Sequence, residues 1–562
     1  MHTIHYIKAR FEHLKKSPSL LFLLGIPIIT LIVMVINTGY VSYPDEFVNL
    51  LGGKYILAGK LPYRDFFDHH LPLAWYLSAP MLLISSQSFV IFRLLWAVAA
   101  FSILFGVGLY IRQEHREIGH LYWIFLLLYP FFALYYWLHL YLADSLALIF
   151  FSSAFWLLLS QTYAPRKNFR TVVFAGVMVW ALVFSSLTYL YLALGLYAWL
   201  GYLTWKEWGI KKVMYLAGLC LSPYILYGMY LFVSGTFQDF WTANFTYNSE
   251  LYLSLPNYTR GTHFNPFKFV LTLIFNFHQT YWKQVVAIKE FDIYFPVATM
   301  LAWSTFAFLA LLFFENKILA LLFFFILSVS APRSDVSDID ETNYQIAVYL
   351  GLGLISALVS LWRVKQLKFQ DELYEIFRKL ATFFVALYLI FASIFLIKNT
   401  YDKTFQRYTQ FLPSIGEIKD FANFTQDIFP GEQRIYWDGP YEPTDLFYIS
   451  VDQLPGKYIS LLPQFRENTY FASTFIDQFE KSKPAMIIYL HRASIFNTPA
   501  DEFGAFFLTW MKGKYVTIDS LQKYKILKSP TNFGVGGDLY FRADLESRVI
   551  QTLLEKGYII ER

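Results

Sequence analysis

The polar and apolar positions of this chain fall into long alternating blocks up to about residue 397. Crossing roughly 30 Å of hydrocarbon takes about 20 predominantly apolar residues in a helix. Apolar runs near that length occur at about 20–36, 88–110, 120–137, 139–160, 171–187, 189–204, 213–233, 294–314, 317–331, 344–362 and 380–397. No small-residue cleavage site follows the first run, so we expect that run to be retained. The pattern predicts about eleven transmembrane helices.

Lysine and arginine are distributed unevenly between the two sides that these helices define. If the amino terminus is inside, the inner segments hold more than twice as many Lys and Arg residues as the outer loops, although the outer loops are longer. Lys and Arg accumulate in cytoplasmic loops, so we expect a cytoplasmic amino terminus. An odd number of crossings then places everything after about residue 398 outside.

Beyond residue 398 the apolar runs shorten to strand length. The runs RIYWDG, PAMIIYL and YKILKSP alternate with helix-like stretches at 415–428, 471–481, 501–512 and 543–556. This pattern is typical of a small α/β domain. The predicted fold is therefore a polytopic α-helical membrane protein over 1–397, with a C-terminal extracytoplasmic α/β domain over 398–562.

Composition narrows the class of protein. Hydrophobic residues make up 56% of the chain and charged residues only 15%, against about 25% charged residues in ordinary soluble domains. These values exclude a typical cytosolic enzyme, and the net charge of +5 is too small to indicate nucleic-acid binding. The single cysteine, Cys220, excludes an internal disulfide and a cysteine metal cluster.

The first outward loop carries an acidic pair, Asp45 and Glu46, soon after the first helix. The stretch FVNLLGGKYILAG follows, and its apolar residues, among them Phe47, Leu50 and Leu51, predict a helix lying along the membrane interface. Such a helix would hold Asp45 close to a lipid headgroup. An acidic pair in an exposed loop is also a common solvated feature, and both interpretations stay open.

The same loop contains PYRDFFDHHLPL, which brings Arg64, Asp65, Asp68, His69 and His70 close together in sequence. Three interpretations are open. The charges can be simply solvated, or the histidines and carboxylates can bind zinc or manganese. Alternatively, Arg64 and His70 can provide positive charge and hydrogen-bond donors to a phosphate.

Asp144 stands at the start of a long apolar run, in HLYLADSLALIF. An ionisable group at such a position is costly and marks a functional site by default. The predicted topology places it near the outer face, as it does Asp45, so two carboxylates can share the work of base and of substrate or metal orientation. Later outward segments add groups suited to an anionic headgroup, namely Arg260, His263, Arg333 and Tyr344.

These features resemble those of a known family. A first helix, an exposed Asp-Glu pair, PYRDFFDHHLPL and an ADSLAL start to the fourth helix are similar to the GT-C superfamily of polytopic glycosyltransferases. The closer resemblance is to its bacterial branch with protein O-mannosyltransferases and the lipid A aminoarabinose transferase. The layout is similar over most of 15–400, and the motif matches lie in about 43–76 and 139–150.

The resemblance implies transfer of a sugar from a polyprenyl-phosphate donor to a hydroxyl acceptor, with inversion, at the outer face of a bacterial plasma membrane. Asp45 then matches the general base, Glu46 its orienting neighbour and Asp144 the second acid. The donor would contact Arg64, His69, His70, Arg260, His263, Arg333 and Tyr344.

Two points qualify the match to individual members of the superfamily. The chain has His70 and Leu71 where the aminoarabinose transferase has a lysine before two prolines. Some members use a divalent ion, so a metal on Asp45, Asp144 and His69 stays open, with no cofactor certain.

Three alternatives compete with a GT-C transferase. A flippase of lipid-linked sugars should carry polar residues deep along several helices. Here these residues concentrate at outward loops and helix ends, which favours chemistry at the surface, although a non-GT-C polymerase or ligase remains an alternative. A receptor-like protein that binds through its tail does not account for Asp144 or the acidic loop.

Overall fold

The structure of the chain is a computed structural model. It describes residues 18–40, 43–86, 88–252, 266–286, 296–333, 344–366, 435–438, 448–449, 453–466, 468–495, 498–517, 524–526 and 538–561, with 379, 394, 397–398, 423, 425–426 and 428–429. The chain divides into two compact units, each built from three segments. The first unit comprises Met1–Tyr40, Phe89–Tyr227 and Pro266–Gln406, and the second comprises Val41–Ser88, Gly228–Asn265 and Arg407–Arg562.

Helices dominate the described chain up to residue 366. In chain order they are α1 (Pro18–Asn37), α2 (Pro44–Leu57), α3 (Leu73–Ser85), α4 (Phe89–Glu114), α5 (Arg116–Tyr135), α6 (Ala143–Tyr163), α7 (Phe169–Ser185), α8 (Leu190–Trp208), α9 (Ile210–Val233), α10 (Phe237–Trp241), α11 (Pro266–Val286), α12 (Pro296–Glu315), α13 (Lys317–Ser328) and α14 (Ala347–Gln366). Short 3₁₀ turns, Leu187–Tyr189 and Tyr344–Ile346, precede α8 and α14, and a π-helical segment, Thr242–Tyr252, follows α10.

The protein is a membrane protein with apolar helices of spanning length. Within the described residues, six helical segments are long and apolar enough to cross a bilayer: Phe89–Glu114, Arg116–Tyr135, Ala143–Tyr163, Leu187–Trp208, Ile210–Val233 and Tyr344–Gln366. Each of the first ten predicted apolar runs coincides with a helix. The last run, 380–397, lies almost wholly outside the described residues, so the total of about eleven crossings stays a prediction.

Helix α6 forms the centre of the first unit. Its apolar window is fully buried, and it packs against α4, α7 and α14. Gly351 permits the close approach of α14, because a β-carbon there would overlap the Leu148 side chain. Small residues at such crossings let helix backbones approach in a membrane protein. Asp144 therefore begins a helix that is enclosed by protein on all sides.

A proline in α5 is compensated by a side chain of α1. Pro130 lacks an N–H, which leaves the carbonyl of Leu126 without its helical donor. Thr30 donates its hydroxyl to that carbonyl at 3.1 Å, and Asn37 donates Nδ2 to the Pro130 carbonyl at 2.8 Å. In an apolar environment a backbone group has to be satisfied within the protein. These two bonds fix α1 against α5.

Helix α2 confirms the predicted helix in the first loop, and its position along the membrane interface stays a prediction. Phe47, Leu50 and Leu51 are fully buried against protein. Helices α2 and α3 pack closely because Gly52 and Gly53 face Trp75 and Ser78, where β-carbons would overlap those side chains. The apolar face therefore serves protein packing.

The C-terminal segment contains both strands and helices. The strands are β1 (Ile435–Asp438), β2 (Met486–Tyr489), β3 (Ser494–Ile495), β4 (Thr498–Pro499), β5 (Tyr515–Thr517), β6 (Tyr524–Ile526), β7 (Asp538–Arg542) and β8 (Ile559–Glu561), and the helices are α15 (Pro463–Arg466), α16 (Thr469–Ser482), α17 (Ala500–Phe503), α18 (Ala505–Met511) and α19 (Glu546–Glu555). The main sheet has the order β1-β2-β7-β5, in which β1 and β2 are parallel and the other pairs antiparallel.

The strands predicted in RIYWDG, PAMIIYL and YKILKSP are confirmed as β1, β2 and β6. All four residues of β2 are buried, as expected of a central strand that is apolar on both faces. The helix expected at 415–428 lies mostly outside the described residues. The C-terminal segment shares its compact unit with Val41–Ser88 and Gly228–Asn265, and the domain boundary at 397/398 stays a prediction.

Candidate functional site

Asp144 is the candidate acid of the first unit and lies buried in the first turn of α6. Tyr189 donates its hydroxyl to Oδ1 of Asp144 at 2.6 Å, and Nη1 of Arg333 donates to Oδ2 at 2.7 Å. The carboxylate is 1% exposed, and the Arg333 side chain is 16% exposed. We call Asp144, Tyr189 and Arg333 the Asp144 cluster.

The Asp144 cluster satisfies a buried charge in three ways. Arg333 supplies the opposite charge, Tyr189 supplies a neutral donor, and the amino-terminal turn of α6 supplies the positive end of the helix dipole. Burying a carboxylate is strongly unfavourable unless it is paired and hydrogen-bonded. Because each Asp144 oxygen already accepts a bond, the arrangement is suited to holding Arg333 in one orientation.

The cluster joins two candidates that the sequence offered separately. Arg333 lies 189 residues from Asp144 along the chain, and nothing in the sequence indicates that they pair. Tyr189 was not predicted at all, although its place at the start of an apolar run, beside the outer face of the predicted topology, was a usable signal. Tyr344 is 5% exposed in the 3₁₀ turn that packs against α6.

In the second unit, the acidic pair lies in the first turn of α2. Asp45 is half-buried, and Glu46 is fully buried. Pro44 occupies the first helical turn, where its missing N–H costs nothing. The Asp45 backbone is fixed further by Asn49, which donates Nδ2 to its carbonyl at 2.9 Å. The pair therefore has one enclosed and one partly accessible carboxylate on an ordered helix.

The histidine-bearing part of the first loop folds around Asp68. Oδ1 of Asp68 lies 2.7 Å from Nδ1 of His70 and accepts a 2.9 Å bond from the His70 backbone amide. Nδ1 of His69 lies 3.9 Å from the same oxygen, and the two imidazole rings are 4.2 Å apart. We call Asp68, His69 and His70 the Asp68 cluster.

Electrostatics favour an ionised Asp68. Burial raises the pKa of this carboxyl group, but the charges of His70 and His69 and the bonds from His70 outweigh it, so the pKa lies below its usual value. An ionised Asp68 then accepts a hydrogen bond from Nδ1–H of His70, which fixes the tautomer of this imidazole. The arrangement orients one imidazole.

The loop is held by a residue with unusual backbone geometry. Tyr63 has φ +68°, a left-handed conformation that a bulky side chain rarely adopts. Its hydroxyl donates to the His70 carbonyl at 2.9 Å, and its buried ring packs against Trp75 and Phe240. Such strain persists only where surrounding contacts compel it and clusters at functional sites.

Arg64 forms an ion pair with the adjacent residue, Asp65. Its Nε and Nη2 atoms donate to the two Asp65 oxygens at 2.9 and 3.0 Å. The bond from Arg64 lowers the pKa of Asp65 below its usual value. The Arg64 side chain is 48% exposed, so the geometry suits a solvated ion pair, which was one of the three interpretations of this loop.

Residues 448, 453 and 455–457 of the C-terminal region are bonded to the first loop within the second unit. Lys54 of α2 donates Nζ to the Tyr448 carbonyl at 2.6 Å and to the Gln453 carbonyl at 3.2 Å. The Phe67 amide donates to the Lys457 carbonyl at 2.7 Å. The hydroxyl of Tyr55 lies 2.6 Å from the carbonyl of Gly456 and 3.0 Å from that of Pro455. These bonds fix α2 and the loop from one side.

The described residues contain one group with the spacing of a metal site, the Asp68 cluster, whose ligand atoms lie within 4.8 Å of one another. One carboxylate and two imidazoles suit zinc or manganese in residue type. A metal bound through Nδ1 of His70 would have to displace the proton that this nitrogen shares with Asp68. Of the ligands named from sequence, Asp144 has both oxygens bonded to protein.

Not every sequence candidate can be placed. Arg260 and His263 lie outside the described residues. Asp45 and Asp144 belong to different compact units, and the expectation that they share one cavity stays a prediction. What the structure brings together is Asp144 with Arg333, and His69 with His70.

Fold and site together describe a polytopic membrane protein with ordered acidic and cationic groups at helix ends and in loops. No protein-family model matches the chain, and no curated protein matches it. Several solved structures are similar to the chain. One is ArnT from Cupriavidus metallidurans bound to undecaprenyl phosphate, which is 11% identical with a TM-score of 0.47. The match covers 93% of this chain and 97% of the ArnT chain.

Two further solved structures are similar to this chain. ArnT from the same organism in the apo state is 12% identical, with a TM-score of 0.49 and coverage of 84% and 93%. The archaeal oligosaccharyltransferase AglB from Archaeoglobus fulgidus, in complex with an inhibitory peptide and a dolichol-phosphate, is 12% identical, with a TM-score of 0.40 and coverage of 83% and 69%. Both proteins are GT-C glycosyltransferases. Similarities at these TM-scores assign no function to this chain.

Proposed function

We propose that the protein is a GT-C-type glycosyltransferase that moves a sugar from a polyprenyl-phosphate donor to a hydroxyl acceptor, with inversion. The observation that carries the proposal is the first turn of α2, where partly accessible Asp45 adjoins buried Glu46 on a helix fixed by other segments. A reactive carboxylate has to be accessible and held in place at once.

In this proposal Asp45 is the general base. It takes the proton of the acceptor hydroxyl as the oxygen attacks the anomeric carbon, and the bond from that carbon to the lipid phosphate breaks. Glu46 is enclosed, so it cannot meet the acceptor, and it instead orients its neighbour. The leaving phosphate is already stable as an anion, and the enzyme has to supply positive donors around it.

We assign the main phosphate contact to Arg333. A guanidinium presents its N–H donors in a rigid planar fork that matches phosphate geometry. Asp144 and Tyr189 orient it. Asp144 is therefore a positioning residue in this proposal, where the sequence suggested a catalytic acid. Further proposed donor contacts, carried over from the resemblance, are Arg64, His69, His70, Arg260, His263 and Tyr344.

A divalent ion is compatible with the proposal and is not required by it. The Asp68 cluster would hold such an ion, which would supply positive charge to the leaving phosphate. Without an ion, His70 oriented by Asp68 would donate Nε2–H to the phosphate as the imidazolium. We propose the bacterial plasma membrane as the location, with the amino terminus in the cytoplasm and residues 398–562 forming an extracytoplasmic domain.

The test is single-turnover loss of sugar from a panel of radiolabelled polyprenyl-phosphate sugars, with and without chelator. We expect the purified protein to consume one donor of the panel and to release the lipid phosphate. A flippase would move the donor across a vesicle membrane and leave it intact. Intact donor throughout, with transport observed, would refute the proposal. Loss of activity in chelator, restored by zinc or manganese, would establish the metal.

A further inference from the structure

The first unit contains a polar cavity at the opposite predicted side of the membrane from the acidic clusters. It has a volume of about 390 Å³ and is lined by the ends of α6, α8, α12, α13 and α14 and by the connection after α6. Most lining residues fall in segments that the charge distribution assigns to the cytoplasm, and Tyr202, Leu203 and Leu319 lie in the adjoining helical turns. Cavities of about 300–1,000 Å³ are typical of small-ligand sites.

One wall of the cavity is a fixed and neutralised ion pair. Arg363 donates Nε to Oε1 of Glu315 at 2.9 Å and Nη2 to the same atom at 2.5 Å. Tyr163 donates its hydroxyl to Oε2 of Glu315 at 3.3 Å, and the guanidinium stacks over the Tyr163 ring at 4.9 Å. With its charge balanced, this wall supplies shape more than attraction.

The other wall has donors to spare. Lys167 donates Nζ to the carbonyls of Thr162 and Ala164 at 2.9 and 2.8 Å, which uses two of the three ammonium protons. The Tyr202 hydroxyl accepts a 3.0 Å bond from Asn316, so its own proton can be donated. The side chain of Lys206, exposed at the cavity edge, forms no hydrogen bond or ion pair with any residue that the structure describes.

The electrostatic balance of this wall is positive. This part of the lining contains two ammonium groups, those of Lys167 and Lys206, and one carboxylate, that of Glu207. Burial lowers the pKa of Lys167, Glu207 raises it and Lys206 lowers it again. An anion with several acceptor oxygens would relieve the repulsion between the two ammonium groups and would accept the spare protons of Lys167, Lys206 and Tyr202. A phosphate or phosphodiester group has that chemistry.

We propose that this cavity binds a phosphate-bearing anion, with the headgroup of an anionic phospholipid as its source in the membrane. Basic pockets between transmembrane helices on the cytoplasmic side are a recognised setting for anionic lipid headgroups. The site is independent of the proposed transferase chemistry, because all its lining residues lie at the other ends of the helices in the predicted topology.

The test is native mass spectrometry of the full chain, delipidated in detergent and then supplied with phosphatidylglycerol, phosphatidylcholine or glycerol phosphate. The variants are Lys206→Gln, Tyr202→Phe and, as a matched control, Lys211→Gln, an exposed lysine that does not line the cavity. We expect retention of phosphatidylglycerol that weakens roughly tenfold in Lys206→Gln and is unchanged in Lys211→Gln, since a charge-assisted bond is lost only in the first.

Retention of glycerol phosphate alone, with the same sensitivity to Lys206→Gln, would confirm the phosphate site and assign it to a soluble ligand. Equal retention of phosphatidylcholine and phosphatidylglycerol, or equal loss in Lys206→Gln and Lys211→Gln, would overturn the proposal. Lys206 is exposed, so its substitution should leave folding intact. Tyr202→Phe checks that the effect is not one of net charge alone.

Discussion

The Asp144 cluster and the first turn of α2 treat their carboxylates in opposite ways. Asp144 is 1% exposed and has both oxygens bonded, to a tyrosine and an arginine from two other connections. Asp45 is half-buried on a helix whose other acid, Glu46, is enclosed. A base has to reach the proton that it removes. This difference is the basis of our proposal that Asp45 is the base and that Asp144 orients Arg333.

The largest expected effect is that of Asp45→Asn. An amide cannot accept the acceptor proton, so sugar transfer should fall by a factor on the order of 10²–10⁴. Thermal unfolding should be unchanged. Asp65→Asn, in the same loop, is the matched control, because Asp65 lies in a solvated pair with Arg64 whose contribution to stability is about 0–1 kcal/mol. Similar activity in both variants would remove Asp45 as the base.

The next effect is that of Asp144→Asn. Removing one partner of a buried ion pair leaves an uncompensated charge, which costs about 3 kcal/mol of unfolding free energy. We expect a lower unfolding midpoint and a raised KM for the donor, because Arg333 loses its fixed orientation. The measurement is a double-mutant cycle with Arg333→Met. A coupling energy near zero would contradict the functional importance of the pair.

A smaller effect is expected for Tyr189→Phe. The change removes one hydrogen bond to a charged group and leaves the ring, at a cost of about 1.5 kcal/mol. The free energy of unfolding should fall by that amount, and kcat/KM for the donor should fall by up to roughly tenfold because Arg333 is oriented less firmly. Tyr110→Phe is the control, since the Tyr110 hydroxyl bonds to Thr171 away from the cluster. Equal kinetics in the two variants would show that Tyr189 only packs.

The smallest effect is expected for Lys54→Met, which sharpens the other side of the comparison. The substitution removes the bonds to the Tyr448 and Gln453 carbonyls and keeps most of the side-chain volume. The free energy of unfolding should therefore fall by about 1 kcal/mol. Turnover should fall a few-fold because α2 is held less firmly. Lys60→Met, at an exposed position beyond the end of α2, should change neither quantity.

The sequence predicted the elements far better than their contacts. Continuous apolar runs are sufficient to reveal α4, α6 and α14. Helix α3 was missed because its 13 residues, interrupted by Pro80, are too short to span a membrane. Helix α11 was missed because polar residues such as His278 and Lys283 interrupt its apolar pattern.

The candidate site shows the same limit. Asp144 could be predicted because a carboxylate in an apolar run is conspicuous. Its pairing with Arg333 could not be predicted, since the two residues are 189 positions apart and nothing local links them. The bond from Lys54 to Tyr448 spans 394 positions and depends on how α2 and the C-terminal segment fold together. Pairings over such distances are set by tertiary packing, which periodicity does not encode.

The most direct measurement of the central claim is single-turnover sugar transfer by Asp45→Asn and Asp144→Asn at saturating donor, with each protein's folded fraction measured in the same sample. The account predicts that saturation restores most of the rate in Asp144→Asn, because only donor orientation is impaired. It predicts that saturation restores none in Asp45→Asn, because the base is gone. A rate in Asp45→Asn close to that of wild type, or an equal and unrestored loss in both variants, would contradict the division of roles.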